Sequence, residues 1–196
     1  MRRSRAAVGS SVFMALVPGT VAGVVPWWVT GWQAGDWWLP VRLLGGVVLL
    51  AGAAVLVHAF TRFVVEGLGT PAPIAPTEHL VVGGLYRHVR NPMYVAVTAA
   101  TVGQALLLGR PILLAYGLLA AMVMWAFARW HEEPRLRRTF GAEYETYRRA
   151  VPGWWPRLRP WQARPTDHRH VGTASTTRPA RPPREQQDAG PDELMK

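Results

Sequence analysis

The sequence predicts an all-α, polytopic membrane helical bundle with about four transmembrane helices, a C-terminal interfacial amphipathic helix and a disordered tail. Composition is the first reason: of 196 residues, 49% are hydrophobic and only 17% charged, apolar and charge-poor beside soluble domains. The second is distribution, because charge is nearly absent from four long stretches before Ala128 and dense after it. The third is that arginine collects in alternate loops between those stretches, as expected of loops retained in the cytoplasm.

The first span comes from the charge-free run Ala6 to Gly35, longer than the roughly 20 residues that cross about 30 Å of hydrocarbon. Met1-Arg2-Arg3-Ser4-Arg5 before an apolar run also fits a secretory signal. The length of the run and Pro18 within it favour a retained signal anchor. Trp27, Trp28, Trp32, Trp37 and Trp38 then form an aromatic belt at the far interface. Leu43 to Thr61 is the second span, interrupted only by His58, and Met93 to Gly109 the third. Gly109-Arg110-Pro111 is a tight turn into the fourth, Ile112 to Ala128, so the last two spans form an antiparallel hairpin.

Orientation follows from the arginines. Arg2, Arg3 and Arg5 precede the first span, the loop Gly31 to Pro40 has none, and Arg62, Arg87 and Arg90 lie in the next loop. The hairpin turn holds only Arg110, and everything after Ala128 is arginine-rich, so both termini are expected in the cytoplasm. Leu136, Phe140, Tyr144 and Tyr147 then repeat at helical spacing, with Arg137, Arg138, Arg148 and Arg149 on other faces. That pattern predicts a helix along the membrane surface or capping the bundle. From about Trp161 the chain turns to Pro, Arg, Thr, Gln and Asp, a composition without the apolar residues to build a core. The chain therefore divides into N-terminal helices over 1–66, a central region with the helical hairpin over 67–160, and a disordered basic tail over 161–196.

The net charge of +10 does not indicate nucleic-acid binding, because the basic residues flank apolar spans and mark topology. Cysteine is absent, which excludes disulfides, thiolate metal sites and a cysteine nucleophile. The histidines lack regular metal-ligand spacing, and no metal is expected.

Chemistry concentrates around the hairpin. The stretch Gly67-Leu68-Gly69-Thr70-Pro71-Ala72-Pro73-Ile74-Ala75-Pro76 is too rich in Gly and Pro for a helix and leads into Gly83-Gly84-Leu85-Tyr86-Arg87-His88-Val89-Arg90-Asn91-Pro92-Met93-Tyr94. Pro92 suits the first position of a helix. Arg90, Asn91 and Tyr94 open the third span while His131, Glu132 and Glu133 close the fourth, so the hairpin brings both clusters to one membrane face. Opposed arginine and glutamates suit a zwitterionic ligand; they also suit ordinary interfacial salt bridges. On the ligand reading, Arg90→Ala and Glu132→Gln weaken binding while leaving the fold nearly unchanged. His58, Arg62 and Glu66 share a face at the end of the second span, where an Arg62–Glu66 pair with His58 satisfied inside the bundle is the simpler account and a substrate entrance the alternative.

Gly84-Leu85-Tyr86-Arg87-His88-Val89-Arg90-Asn91-Pro92-Met93-Tyr94, then Glu132-Glu133-Pro134-Arg135-Leu136, then Phe140-Gly141-Ala142-Glu143-Tyr144-Glu145-Thr146-Tyr147 resemble the carboxy-terminal signature of the isoprenylcysteine carboxyl methyltransferases, whose cofactor region is shared with the phospholipid methyltransferases. The resemblance covers roughly Gly67 to Pro156. It implies a multi-span enzyme that binds S-adenosyl-L-methionine in a cytosol-facing pocket and takes a hydrophobic or lipid-like substrate from the bilayer. The family's Arg-His-Pro-x-Tyr element matches Arg90, Asn91, Pro92 and Tyr94, and its paired glutamates match Glu132 and Glu133; Gly84 and Tyr86 fall in a stretch that also lines the cofactor. Tyr144 and Tyr147 join these as candidates to pack against it. Asn91 stands where histidine is common, which keeps a donor and an acceptor without titration, and Ala96 stands where glycine is frequent. No catalytic base is assigned. Two alternatives are a sterol-reductase-like membrane enzyme using nicotinamide dinucleotide phosphate, from which Val95-Ala96-Val97 departs, and a non-catalytic membrane subunit.

Overall fold

A computed structural model describes residues 16–67 and 79–162, and every described element is helical. The basic amino end, the Gly/Pro-rich loop 68–76, the side chain of Glu66 and the tail beyond Gln162 lie outside the described residues.

Helix α1 is Leu16–Thr30 and contains a π-turn at Thr20–Val24. It ends at Gly31 and Trp32, both at φ 55°. Helix α2 is Leu39–Gly67, α3 is Pro92–Leu108 and α4 is Pro111–Phe127. Prolines start α3 and α4, where the missing N–H is no loss. After α4 a π-turn, Ala128–Glu132, leads directly into α5, Glu133–Ala150. From Pro111 to Ala150 the chain is thus one 40-residue helical element, bent where Gly141 leaves helical geometry at φ 50°. The hairpin turn is as the sequence predicts: Gly109 takes φ 61°, and a Cβ there would lie 2.8 Å from the Trp37 ring.

Leu39–Phe63 and Pro111–Ala150 are long and apolar enough to cross a membrane, while α1 and α3 are shorter apolar helices. Their outer faces carry large apolar side chains open to the surroundings, such as Leu50 at 71% and Leu118 at 63% exposure. Soluble proteins do not present faces of this kind without a partner, and the chain is a membrane protein.

Glycine governs the packing of α2 on α3. A Cβ at Gly45 would fall against the Leu107 amide, one at Gly103 against that of Leu49, and one at Gly52 within 2.8 Å of the Ala100 nitrogen. Backbone therefore lies on backbone, the close approach that small residues give helices in lipid. Ala96, buried in the same seam, presents its carbonyl to Gly52. Hydrogen bonds attach α1: Gln104 Nε2 donates to the Ala22 carbonyl at 2.5 Å and the Tyr116 hydroxyl to that of Val21 at 2.8 Å, both within the π-turn. Around the hairpin turn, the Gly35 amide donates to Leu108, Arg110 Nε to the Gln33 carbonyl and Arg42 Nε to that of Leu107.

Candidate active site

The site forms where the start of α3 meets the junction of α4 and α5. Upstream, Gly84 at φ 54° opens a 3₁₀ turn, Gly84–Arg87. A Cβ at Gly84 would meet His58 Nε2 and Arg62 side-chain atoms, each 3.2–3.3 Å away, so the turn sits directly on the end of α2. His58 is nonetheless exposed rather than enclosed by the bundle. Tyr86 is buried with Ala59 and Val81, against Phe63, Leu85 and Met93.

From this turn the chain enters α3 through Arg90 and Asn91, and the predicted convergence is realised there. The Tyr94 hydroxyl donates to Glu132 Oε1 at 2.5 Å, and Arg90 Nη1 donates to Glu133 Oε1 at 3.0 Å. Neighbouring positions on a helix point about 100° apart, and the two glutamates accordingly take different partners. Glu133 is the centre of an ion cluster, with Arg129 at 3.2 Å and Arg148 at 3.9 Å besides Arg90. Glu132 has the phenol of Tyr94 and a half-buried setting. Burial pushes its carboxyl above the usual range, opposed by the Tyr94 hydrogen bond and the charge of His131. His131 itself is exposed and stacks on Phe127.

Arg90 is more deeply built in than a free ligand-binding arginine. Its Nη1 also donates to the Tyr144 hydroxyl at 3.0 Å, its Nε to the Val151 carbonyl at 3.0 Å, and its amide to that of Pro152. Arg90 and Glu133 are only 13% and 12% exposed. The expectation that Arg90 could be removed with little effect on the fold is therefore corrected: it is a cross-link between α3, α5 and the chain beyond α5. Asn91 acts alongside, since both its amide and its Nδ2 donate to the Gly153 carbonyl. That pairing is non-titrating, and an asparagine serves it fully. Tyr144 and Tyr147 face the protein interior and form a buried cluster with Val151, against which Leu136 and Phe140 pack. Burial raises the pKa of both phenols, with Arg90 opposing the shift, and the Tyr147 hydroxyl donates to the Tyr86 carbonyl at 2.7 Å.

Sequence reasoning missed the strap of residues 151–161 that follows α5. Besides Val151, Pro152 and Gly153, it contributes Trp154, whose ring stacks on Tyr94 with centroids 6.1 Å apart and planes 13° from parallel. Further along, the Arg157 amide donates to His88 and the Trp161 amide to Arg87. Trp161 also packs on Tyr147, ring centroids 5.5 Å apart, so the packed structure reaches the point from which the sequence suggests a tail. The available signal was Val151-Pro152-Gly153-Trp154-Trp155-Pro156, two tryptophans between prolines directly after an amphipathic helix.

Of the candidate residues, Arg90, Asn91, Tyr94, Glu132, Glu133 and Tyr144 meet around the junction in two layers, Tyr147 joins Tyr86 behind them, and Gly84 lies instead against His58 and Arg62 at the end of α2. Tyr94, Glu132 and Trp154 form one; Arg90, Glu133 and Tyr144 form the other. Residues 41–143 match the family model described as phospholipid methyltransferase. A stretch of 80 residues is 38% identical to protein-S-isoprenylcysteine O-methyltransferase of Schizosaccharomyces pombe, covering 39% of this chain and 33% of that protein. The chain therefore spans about a third of the length of this curated relative. The family match contains both halves of the Tyr94–Glu132 and Arg90–Glu133 pairs, and it agrees with the methyltransferase resemblance rather than the reductase-like one. Because the match takes in just over half of the sequence, this chain belongs to the phospholipid methyltransferase family.

Proposed function

We propose that the chain is an integral membrane methyltransferase that takes a methyl group from S-adenosyl-L-methionine and passes it to a lipid-like acceptor at the cytoplasmic face of the bilayer. The observation that carries this reading is the half-buried Glu132 carboxylate, held by Tyr94 beside the Trp154 ring at the polar end of an apolar hairpin. A carboxylate bordered by aromatic faces fits a sulfonium cation, through charge and through the ring quadrupole. Asn91 would border the same site, with Gly84, Tyr86, Pro92, Tyr144 and Tyr147 supporting it from the packed side.

When bound, the cofactor supplies an electrophilic methyl whose positive charge disappears on in-line transfer. The protein's task is then alignment and exclusion of water. Glu132 and Tyr94 would hold the cation and Trp154 would cover it, while Arg90 with Asn91 fixes the strap that carries Trp154. An acceptor carboxylate needs no base, an amine must be neutral and a hydroxyl must lose its proton; none of the residues here is assigned as a base. A prenylated carboxylate, a phospholipid amine and a hydrophobic alcohol are the acceptor classes this arrangement allows. In cells fed methyl-labelled methionine, lipid extracts are expected to gain a labelled species when the wild-type chain is expressed and to lose it with Glu132→Gln. Equal labelling in both would overturn the assignment.

The proposed topology has four spans, with α1 and α3 as the additional pair and both termini inside. Reporters fused after Gln33 and after Arg110 are expected to read external, and one after Thr77 internal. An internal reading after Gln33 would remove α1 from the spans.

A further inference from the structure

The strap that closes the site carries a feature the chemistry does not use. Trp155 is 84% and Leu158 97% exposed, although their neighbours Trp154 and Trp161 pack on Tyr94 and Tyr147. Arg157 and Arg159 alternate with them, and Arg87 is joined to the strap through its carbonyl, which accepts from the Trp161 amide. Neither 151–162 nor the facing 80–91 contains an acidic residue. The depth of this segment is set by its contacts. Trp154 stacks on the first turn of α3, one of the apolar helices, and the strap's amides follow residues 87–91 into that helix. At the same end, Trp130 is 72% exposed and touches Trp125 edge-on, so exposed tryptophans mark a single level where the apolar helices end. Tryptophan prefers this boundary, and arginines beside it meet lipid phosphates.

We propose that residues 154–160 form an interfacial anchor that seats Trp155 and Leu158 among the headgroups of an anionic leaflet, with the exposed Arg159 and Arg87 facing the phosphates while Arg157 ties the strap to the Ala150 carbonyl. The occupant is the bilayer surface: the cluster carries only positive charge and lies at the end of the apolar helices.

The chain has no cysteine, so Leu158→Cys supplies a unique labelling position at a side chain that packs against nothing. A nitroxide attached there is placed in nanodiscs of phosphatidylcholine alone or phosphatidylcholine mixed with phosphatidylglycerol, and its collisions with oxygen and with a water-soluble nickel chelate are compared. The oxygen-to-nickel ratio is expected to rise severalfold in the anionic discs. It should fall back in a Leu158→Cys chain that also carries Arg159→Gln, at an exposed arginine whose loss leaves the strap's backbone bonds in place. A label equally open to nickel in both lipids, or a ratio indifferent to phosphatidylglycerol, would overturn the anchor. The readout uses no cofactor, so its failure is distinct from failure of the methyltransferase reading.

Discussion

Arg90→Ala is expected to lower thermal stability and abolish S-adenosyl-L-methionine binding together, whereas Glu132→Gln weakens binding and leaves the melting curve in place. The two residues lie within one cluster, yet their environments differ. Arg90 pairs with Glu133 while both are mostly buried, and it also bonds Tyr144 and Val151. Glu133 keeps Arg129 and Arg148, but loss of Arg90 takes from the Tyr144 hydroxyl and the Val151 carbonyl their donor, at about 1 to 3 kcal/mol for each buried group left unsatisfied. Glutamine at 132 keeps an acceptor for the Tyr94 hydroxyl at nearly the same volume, so the fold has little reason to respond. A bound cation does respond, because it loses its counter-charge in a partly desolvated cleft. The expected cost is about 2 to 5 kcal/mol, or roughly 30-fold to several thousand-fold in affinity. Since burial raises the Glu132 carboxyl, binding of a cationic ligand should weaken as pH falls into that raised range, and Glu132→Gln should flatten this dependence. Titration and melting in detergent at several pH values would check both claims. Glu132→Gln with wild-type affinity would remove the carboxylate from the binding site.

Gly103→Val is expected to prevent assembly of the helix bundle, while Gly46→Ala in the same apolar region is tolerated. At Gly103 even a Cβ would press on the amide and Cα of Leu49 and on the Gly45 carbonyl. Those are backbone atoms of a packed helix and cannot swing aside as a side chain does. Overpacking of this kind typically costs about 1 to 3 kcal/mol, more where the contact is rigid, and the helices here would have to separate. Gly46 meets nothing closer than the Leu107 side chain at 3.8 Å, and alanine there gains about 1 kcal/mol of helix propensity. Size-exclusion profiles of both variants in detergent separate the outcomes. A monodisperse, thermally stable Gly103→Val protein would show that α2 and α3 are not held in this contact.

The hairpin and the meeting of its two polar clusters were legible because Gly109, Arg110 and Pro111 dictate a turn and the apolar runs on either side have similar length. Spacing alone then places Tyr94 near Glu132. The role of Arg90 was not legible, since a surface salt bridge, a ligand contact and a buried cross-link use the same residue. What distinguishes them is the Val151 carbonyl, 61 positions away, and backbone acceptors leave no mark in a sequence. The glycine seam was hidden for a related reason: within an apolar run, Gly45, Gly52 and Gly103 read as ordinary small residues until the partner helix is seen against them. The face of α5 was visible in its periodicity, and Tyr144 and Tyr147 are indeed buried on it. Their partners Arg90 and Tyr86 belong to a different segment. The π-turns at Thr20–Val24 and Ala128–Glu132 have no compositional marker at all.

The strap also orders events during synthesis. Domains and their parts emerge from the ribosome amino end first, so α1 to α4 emerge before Val151, Pro152 and Gly153 do. In a nascent chain that has emerged as far as Ala150, every apolar helix is outside the ribosome, but the Arg90 guanidinium and the amides of Arg90 and Asn91 still lack the carbonyls they meet in the finished fold. Emergence of the apolar helices and closure of the polar cluster are therefore successive steps, the second waiting on the strap.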